Sequence, residues 1–95
     1  MSTYHVYIVT NKKYGTLYIG VTSNLIERIY QHKSKLFKGF SAKYNLDKLV
    51  YCESFNDIRD AIECEKRMKH FLRQEKIDLI NLFNPEWRDL YKDII

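Results

Sequence analysis

Apolar residues recur along the chain with two distinct periods, and the change of period divides it into elements. Residues 4–9, YHVYIV, are rich in β-branched and aromatic side chains and read as a strand. Residues 10–15, TNKKYG, form a polar turn, and 16–21, TLYIGV, read as a second strand paired with the first as a hairpin. Gly20 ends that strand, where a backbone can approach a ligand closely. From residue 22 the period becomes helical: TSNLIERIYQHKSKLF places Leu25, Ile29 and Leu36 on one buried stripe. Ser23 or Asn24 can cap this helix, with Glu27 placed as in a capping box. KGFSAKYN, 38–45, is loop or a short helical turn, and KLVYCES, 48–54, is a third strand. Asn56 opens a long helix, DIRDAIECEKRMKHFL, and RQEKIDLINLF is a further helix after a break near Arg73. Pro85 begins a tail whose Trp87 is expected to pack back on the body. The order is β-β-α-β-α-α, an α+β layout in one domain spanning 1–95, with its core at about 4–82 and the tail at 83–95.

Several polar residues interrupt these stripes. Ile58, Ala61, Ile62, Met68 and Leu72 share one side of the long helix at about 100° per residue, and Glu65 falls among them. A carboxylate facing a core is costly unless it is paired, hydrogen-bonded or bound to metal. Glu65 is therefore either salt-bridged to an arginine or aimed into a cleft where it holds a divalent cation. On the first helix, His32 borders the apolar stripe and Arg28 lies one turn before it. Singly, these read as a packing histidine and a surface cation. Together they present a fixed charge and a titratable imidazole to one spot. Tyr7 and Tyr18, in adjacent antiparallel strands, can project from the same face. They are either amphipathic residues with hydroxyls at the rim or two phenols offered to a shared pocket.

Composition narrows the classes. Ninety-five residues with ordinary apolar and charged fractions describe a small globular domain, not a disordered segment. No apolar run approaches the roughly 20 residues of a membrane span. The N-terminus lacks the pattern of a secretory signal, and two cysteines fall short of a disulfide framework, so the cytoplasm is the expected compartment. Cys52, Cys64, His5, His32 and His70 show no zinc-ligand spacing, and Cys64 reads as packing rather than as a nucleophile. Lys plus Arg exceeds Asp plus Glu by 16 − 12 = 4, a mild excess that permits a nucleic-acid partner without demanding one. The excess is clustered. Lys66, Arg67, Lys69, Arg73 and Lys76 form one group, and Lys33, Lys35, Lys38 and Lys43 another. They are either solvated faces or two basic rims around a groove.

The segments HVY at 5–7 and YIG at 18–20, with Arg28, His32 and Glu65, resemble the GIY-YIG nuclease superfamily. The similarity spans about Tyr4 to Leu82 and is closest to small stand-alone members, which resemble the N-terminal nuclease domain of the DNA-repair excinuclease. It implies a three-stranded antiparallel sheet flanked by helices and hydrolysis of phosphodiester bonds in DNA with one Mg²⁺ or Mn²⁺. By resemblance Tyr7, Tyr18, Arg28, His32 and Glu65 are catalytic. Glu65 would ligate the metal, Tyr7 or Tyr18 would orient or deprotonate the attacking water, Arg28 would hold the scissile phosphate, and His32 would assist proton transfer. Lys12, Lys13, Lys33, Lys43, Lys66, Lys69 and Arg73 are the candidate contacts to the nucleic-acid backbone. Asn81 and Asn84 are candidates for a polar substrate-supporting residue that the family carries after its glutamate. The chain departs from the pattern at His5, where the family has glycine, and at Val6, where it has isoleucine. No separate DNA-binding domain is read here, so affinity for branched, damaged or single-stranded DNA would be weak, or raised by a protein partner or homodimerisation. The rival readings are a binding module of the same fold without turnover and a protein-interaction domain.

Overall fold

The strand at the centre of the sheet is the first one. The computed structural model describes residues 3–36 and 39–95. In it β1 (Tyr4–Thr10) lies between β2 (Leu17–Thr22) and β3 (Lys48–Phe55), antiparallel to both. A middle strand covered on both faces has no solvent side, so its apolar run is continuous rather than alternating. Val6 and Ile8 face one layer, Tyr7 and Val9 the other, and all four are fully buried. Burying each aliphatic chain contributes roughly 1.5–3 kcal/mol, and a slip by one residue would exchange the two faces, so the register is strongly specified. A bulge between Ile8 and Val9 sets Tyr51 opposite Ile8 and Leu49 opposite Val9.

Helices cover both faces. α3 (Ile58–Lys69) and α4 (Arg73–Phe83) pack on the Val6 side through Ala61, Cys64, Met68, Ile77 and Ile80. α1 (Leu25–Lys33) packs on the Tyr7 side through Leu25 and Ile29, joined by Leu90, Tyr91 and Ile94 around α5 (Tyr91–Ile94). α2 (Phe40–Lys43) is a single turn before β3. This is the expected α+β fold, and α4 has the bounds expected of it.

α1 and α3 both end earlier than their periodicity suggests. α1 is capped by Asn24, whose side chain accepts the Glu27 N–H at 3.2 Å. It stops because Lys35 turns into the left-handed region at φ 56°, and the Leu36 N–H then closes on the Gln31 carbonyl. Leu36 is consequently 64% exposed and no part of the stripe, and His32 is buried in its place. α3 begins after Asp57, not Asn56, and ends at Lys69. Its buried positions are Ala61, Cys64 and Met68, while Ile58, Ile62 and Leu72 are exposed. Glu65, about 40° around the helix from Ala61, lies at the border of that stripe rather than within it. Lys38, expected in a basic cluster, lies outside the described residues.

The tail does pack back. Trp87 is buried, and its indole N–H donates to Asn81 Oδ1 at 2.7 Å. The Asn84 amide donates to the carbonyls of Val50 (3.1 Å) and Arg88 (2.9 Å). Both asparagines therefore hold the tail, which gives each a structural task where a substrate contact was the expectation. Asp89 is the hub: it accepts from Lys33 Nζ and from the backbone N–H groups of Leu49 (3.2 Å) and Tyr91 (3.1 Å). It thereby ties α1, β3 and α5 together.

Burial raises the Asp89 carboxyl, but Lys33 and the two N–H groups outweigh it and hold the group below its ordinary range. A carboxyl depressed in the folded state contributes stability above its unfolded pKa that is lost as pH falls through the folded one. Asp89→Ala should lower unfolding free energy at pH 7 by about 2 kcal/mol. The penalty should shrink below about pH 4, where the wild type loses the same contribution. Urea denaturation at both pH values measures this, and an equal penalty at each would remove the ion pair from the account.

Candidate active site

The site begins with a steric fact. Tyr7 stands opposite Gly20 across the β1–β2 ladder, and its ring lies over that glycine. A Cβ built on Gly20 would be 2.4 Å from the Tyr7 hydroxyl and 2.5 Å from Cζ. Gly20 does not end the strand, as expected, but lies inside β2, which runs on to Thr22, and glycine is required there by the phenol, not by an approaching ligand. Tyr18 pairs with Val9, so it is the diagonal neighbour of Tyr7 on the same face.

α1 completes the cluster. Leu25 and Ile29 seat it against the Tyr7 face, which turns Arg28 and His32, one helical turn apart, toward the tyrosines. His32 Nε2 is 3.0 Å from the Tyr7 hydroxyl. The His32 ring centroid is 5.5 Å from that of Tyr7 and 5.7 Å from that of Tyr18. Arg28 also hydrogen-bonds the Tyr7 hydroxyl, and Tyr18 and Glu65 are near enough to act on it electrostatically. Of the five expected catalytic residues, Tyr7, Tyr18, Arg28 and His32 therefore converge, drawn from β1, β2 and α1, while Glu65 on α3 acts on them through its charge. They do not share one open pocket. Tyr7 is fully buried and His32 is 4% exposed, so these two form a floor, correcting the reading of the Tyr7 hydroxyl as a rim group. The Glu65 side chain is 15% exposed, and Tyr18 and Arg28 are half-buried.

Burial sets the protonation states. It pushes the Tyr7 phenol up to about 12; Arg28 pulls the other way through its hydrogen bond and charge, and Tyr18 and Glu65 add small upward contributions. Burial, then the charge of Arg28, lowers His32 to about 4, so its imidazole is neutral at pH 7. Arginine can only donate, so the Tyr7 oxygen accepts from Arg28. We assign the phenol's own proton to the Nε2 lone pair, which leaves the His32 proton on Nδ1.

The expected phosphate-binding cations divide. Lys33 is engaged with Asp89 and, at 2.8 Å, with the Asp47 carbonyl. Arg73 donates to the carbonyls of Tyr14 (2.6 Å) and Gly15 (2.8 Å), where it pins the β1–β2 turn. These two are occupied in holding the fold. Lys69 lies 3.3 Å from Glu65 Oε2, so the glutamate's partner is a lysine one turn on, not an arginine. Lys12, Lys13, Lys43 and Lys66 are exposed, with Lys13 and Lys43 over the rings of Tyr14 and Tyr44. Beyond Arg28 runs a polar cleft of about 200 Å³ lined by Ser23, Asn24 and Gln31 among others. Neither Ser23 as a lining residue nor Gln31 was legible from periodicity, because surface polar residues on a helix are unremarkable one at a time.

A buried phenol on the middle strand thus meets a histidine and an arginine of the first helix, with a glutamate of the third helix acting on it by its charge. The family model described as the GIY-YIG catalytic domain matches residues 3–78, and the chain belongs to that family. It is 35% identical over 85 residues to the UPF0213 protein SSP2268 of Staphylococcus saprophyticus, covering 85% of this chain and 98% of that one. It is 37% identical over 84 residues to the UPF0213 protein SH2523 of Staphylococcus haemolyticus, covering 84% and 96%. The solution NMR structure of the UPF0213 protein BH0048 from Bacillus halodurans superposes with a TM-score of 0.59 at 27% identity, covering 95% of each chain.

The buried pair generates two expectations. The His32 imidazole should titrate near pH 4 in NMR spectra; because its folded value lies below its unfolded one, it should add stability that is lost as pH falls from about 6.5 toward 4. A His32 midpoint near 6.5 in the folded protein would contradict this. Gly20→Ala should destabilise by about 1–3 kcal/mol, since the added methyl must displace a fully buried ring; thermal denaturation within a degree of wild type would show that the ring is not confined.

Proposed function

We propose that this protein is a divalent-metal-dependent endonuclease that hydrolyses phosphodiester bonds in DNA. The observation that carries the proposal is the Tyr7 hydroxyl, 3.0 Å from His32 Nε2, bonded to Arg28 and within the field of Glu65. A cluster of a neutral imidazole, a fixed cation and a carboxylate around one phenol suits a reaction that must move a proton beside a phosphate.

The donor set fits a hard cation. Glu65 supplies carboxylate oxygens, and Mg²⁺ is commonly held by one or two carboxylates together with waters and substrate phosphate. Among the described residues no three His, Cys, Asp or Glu side chains cluster as a chelating group, and Glu65 would supply the carboxylate. When bound, Mg²⁺ or Mn²⁺ supplies positive charge to the phosphoryl and leaving oxygens. Lys69, now on Glu65, would give way or share it.

The chain's own residues supply the rest. Arg28 offers a planar fork that matches a phosphate oxygen pair and stabilises its growing charge. A phenol near 12 is a poor base alone, but Tyr7 need not keep a negative charge. It can pass its proton to His32 Nε2 while taking one from the attacking water, ending neutral. Arg28 opposes protonation of His32, and the incoming phosphodiester offsets that charge and restores the imidazole's affinity for the proton. Tyr18, half-buried beside His32, would orient the water. Exposed Lys12, Lys13, Lys43 and Lys66 would bind the DNA backbone.

Purified protein should cleave plasmid, single-stranded or branched DNA with Mg²⁺ or Mn²⁺. Arg28→Ala should lower the rate by about 10²–10³-fold, and Glu65→Gln should abolish the metal-dependent cleavage. Glu65→Gln should cost about 0.5 kcal/mol of stability or less, because it removes only an i,i+4 pair. Salt-sensitive binding without cleavage on all three substrates would make the protein a binding module instead.

A further inference from the structure

A second depression continues from the cluster. The Tyr7 face of β1 also carries His5, two residues earlier and about 7 Å along the strand. His5 lines an open cavity of about 700 Å³, with Thr3, Asn24, Leu25, Ile26 and Ile94 among its walls. That volume lies within the range of small-molecule sites. The cavity shares Ser23 and Asn24 with the polar cleft that ends on Arg28, so the two form one track over the start of α1.

The lining has a particular chemistry. Ile26 is 46% exposed, and with Ile94 and the imidazole it makes an apolar wall; Thr3, Ser23 and Asn24 make a polar rim. His5 Nδ1 is buried and has no hydrogen-bond partner among the described residues. A nucleobase has apolar faces and a polar edge, and single-stranded bases are held by stacking on such side chains.

We propose that this cavity receives the unstacked base of a nucleotide adjoining the scissile phosphate, with His5 and Ile26 as its contacts. The substrate class is then single-stranded or locally unpaired DNA, since a base in a duplex cannot leave its stack without cost. The inference rests on the nuclease reading, because it places the phosphate on Arg28.

The test separates the two. Isotope-labelled full-length protein, without divalent cation, is titrated with a thymidine hexanucleotide and with an analogue of the same backbone lacking every base. Both ligands should shift the Arg28 side-chain signal, and only the first should shift His5, Ile26 and Ile94. The ratio of the two Kd values should fall about tenfold in His5→Ala and in Ile26→Ser, the size of one stacked base. Ile26→Ser decides alone if His5→Ala does not fold. Shifts at Arg28 from both ligands with His5, Ile26 and Ile94 silent would overturn the base site and leave the nuclease reading standing. No shift at Arg28 from either ligand would remove both.

Discussion

The structure depends on a single buried hydroxyl. Tyr7 sits on the central strand with no exposed surface. An unsatisfied hydroxyl in that position costs on the order of 1–3 kcal/mol, comparable to what a neighbouring Val or Ile contributes by its burial. Its partners cannot come from the sheet, whose backbone groups pair with one another. They come from α1, and only a helix seated by Leu25 and Ile29 brings Arg28 and His32 within reach. The ring itself fits only because β2 has no side chain at Gly20. The candidate site is thus continuous with the core, and the same contacts that position the phenol hold the first helix on the sheet.

That burial also explains the electrostatics. A phenol and an imidazole in bonding contact would exchange a proton readily if their pKa values were close. Here burial drives them apart, toward about 12 and about 4, so both are neutral at pH 7 and the pair stores no charge of its own. The fixed charges lie at its edge, on Arg28 and Glu65. An anion entering between them changes the balance most for the groups least screened by water. The floor of the site is therefore sensitive to what binds above it, although neither floor residue faces solvent.

Much of this was legible in the sequence. The β-branched runs, the polar turn at 10–15 and the fourth helix have local signals strong enough to be read directly. Tyr7, Tyr18, His32 and Glu65 stood out because each is polar beside apolar positions, and Arg28 through its place one turn before His32. What was not legible required three-dimensional pairing. The role of Gly20 follows from its cross-strand partner, 13 residues away in the chain. The early end of α1 depends on Lys35 entering a conformation that lysine rarely adopts, and no glycine announces it. Lys33, Arg73, Asn81 and Asn84 look like surface residues in one dimension. Their partners, Asp89, the Tyr14 and Gly15 carbonyls, Trp87 and Val50, are long-range or in the tail, and only the fold introduces them.

Those commitments bear on how a small nuclease could recognise its substrate. A cation already bonded to two carbonyls, as Arg73 is, cannot neutralise a phosphate without releasing the hairpin it pins. Lys33 would likewise have to leave Asp89, the hub of the tail. Of the expected contacts, the exposed Lys12, Lys13, Lys43 and Lys66 lie on the turn after β1, on α2 and on α3 rather than along one continuous stripe. Electrostatic attraction to a duplex grows with the number of phosphates contacted at once, so this arrangement favours modest, salt-sensitive affinity. On the proposed reading, selectivity would then come from contacts near the reacting phosphate, at the Tyr7 cluster and the open cavity beside His5.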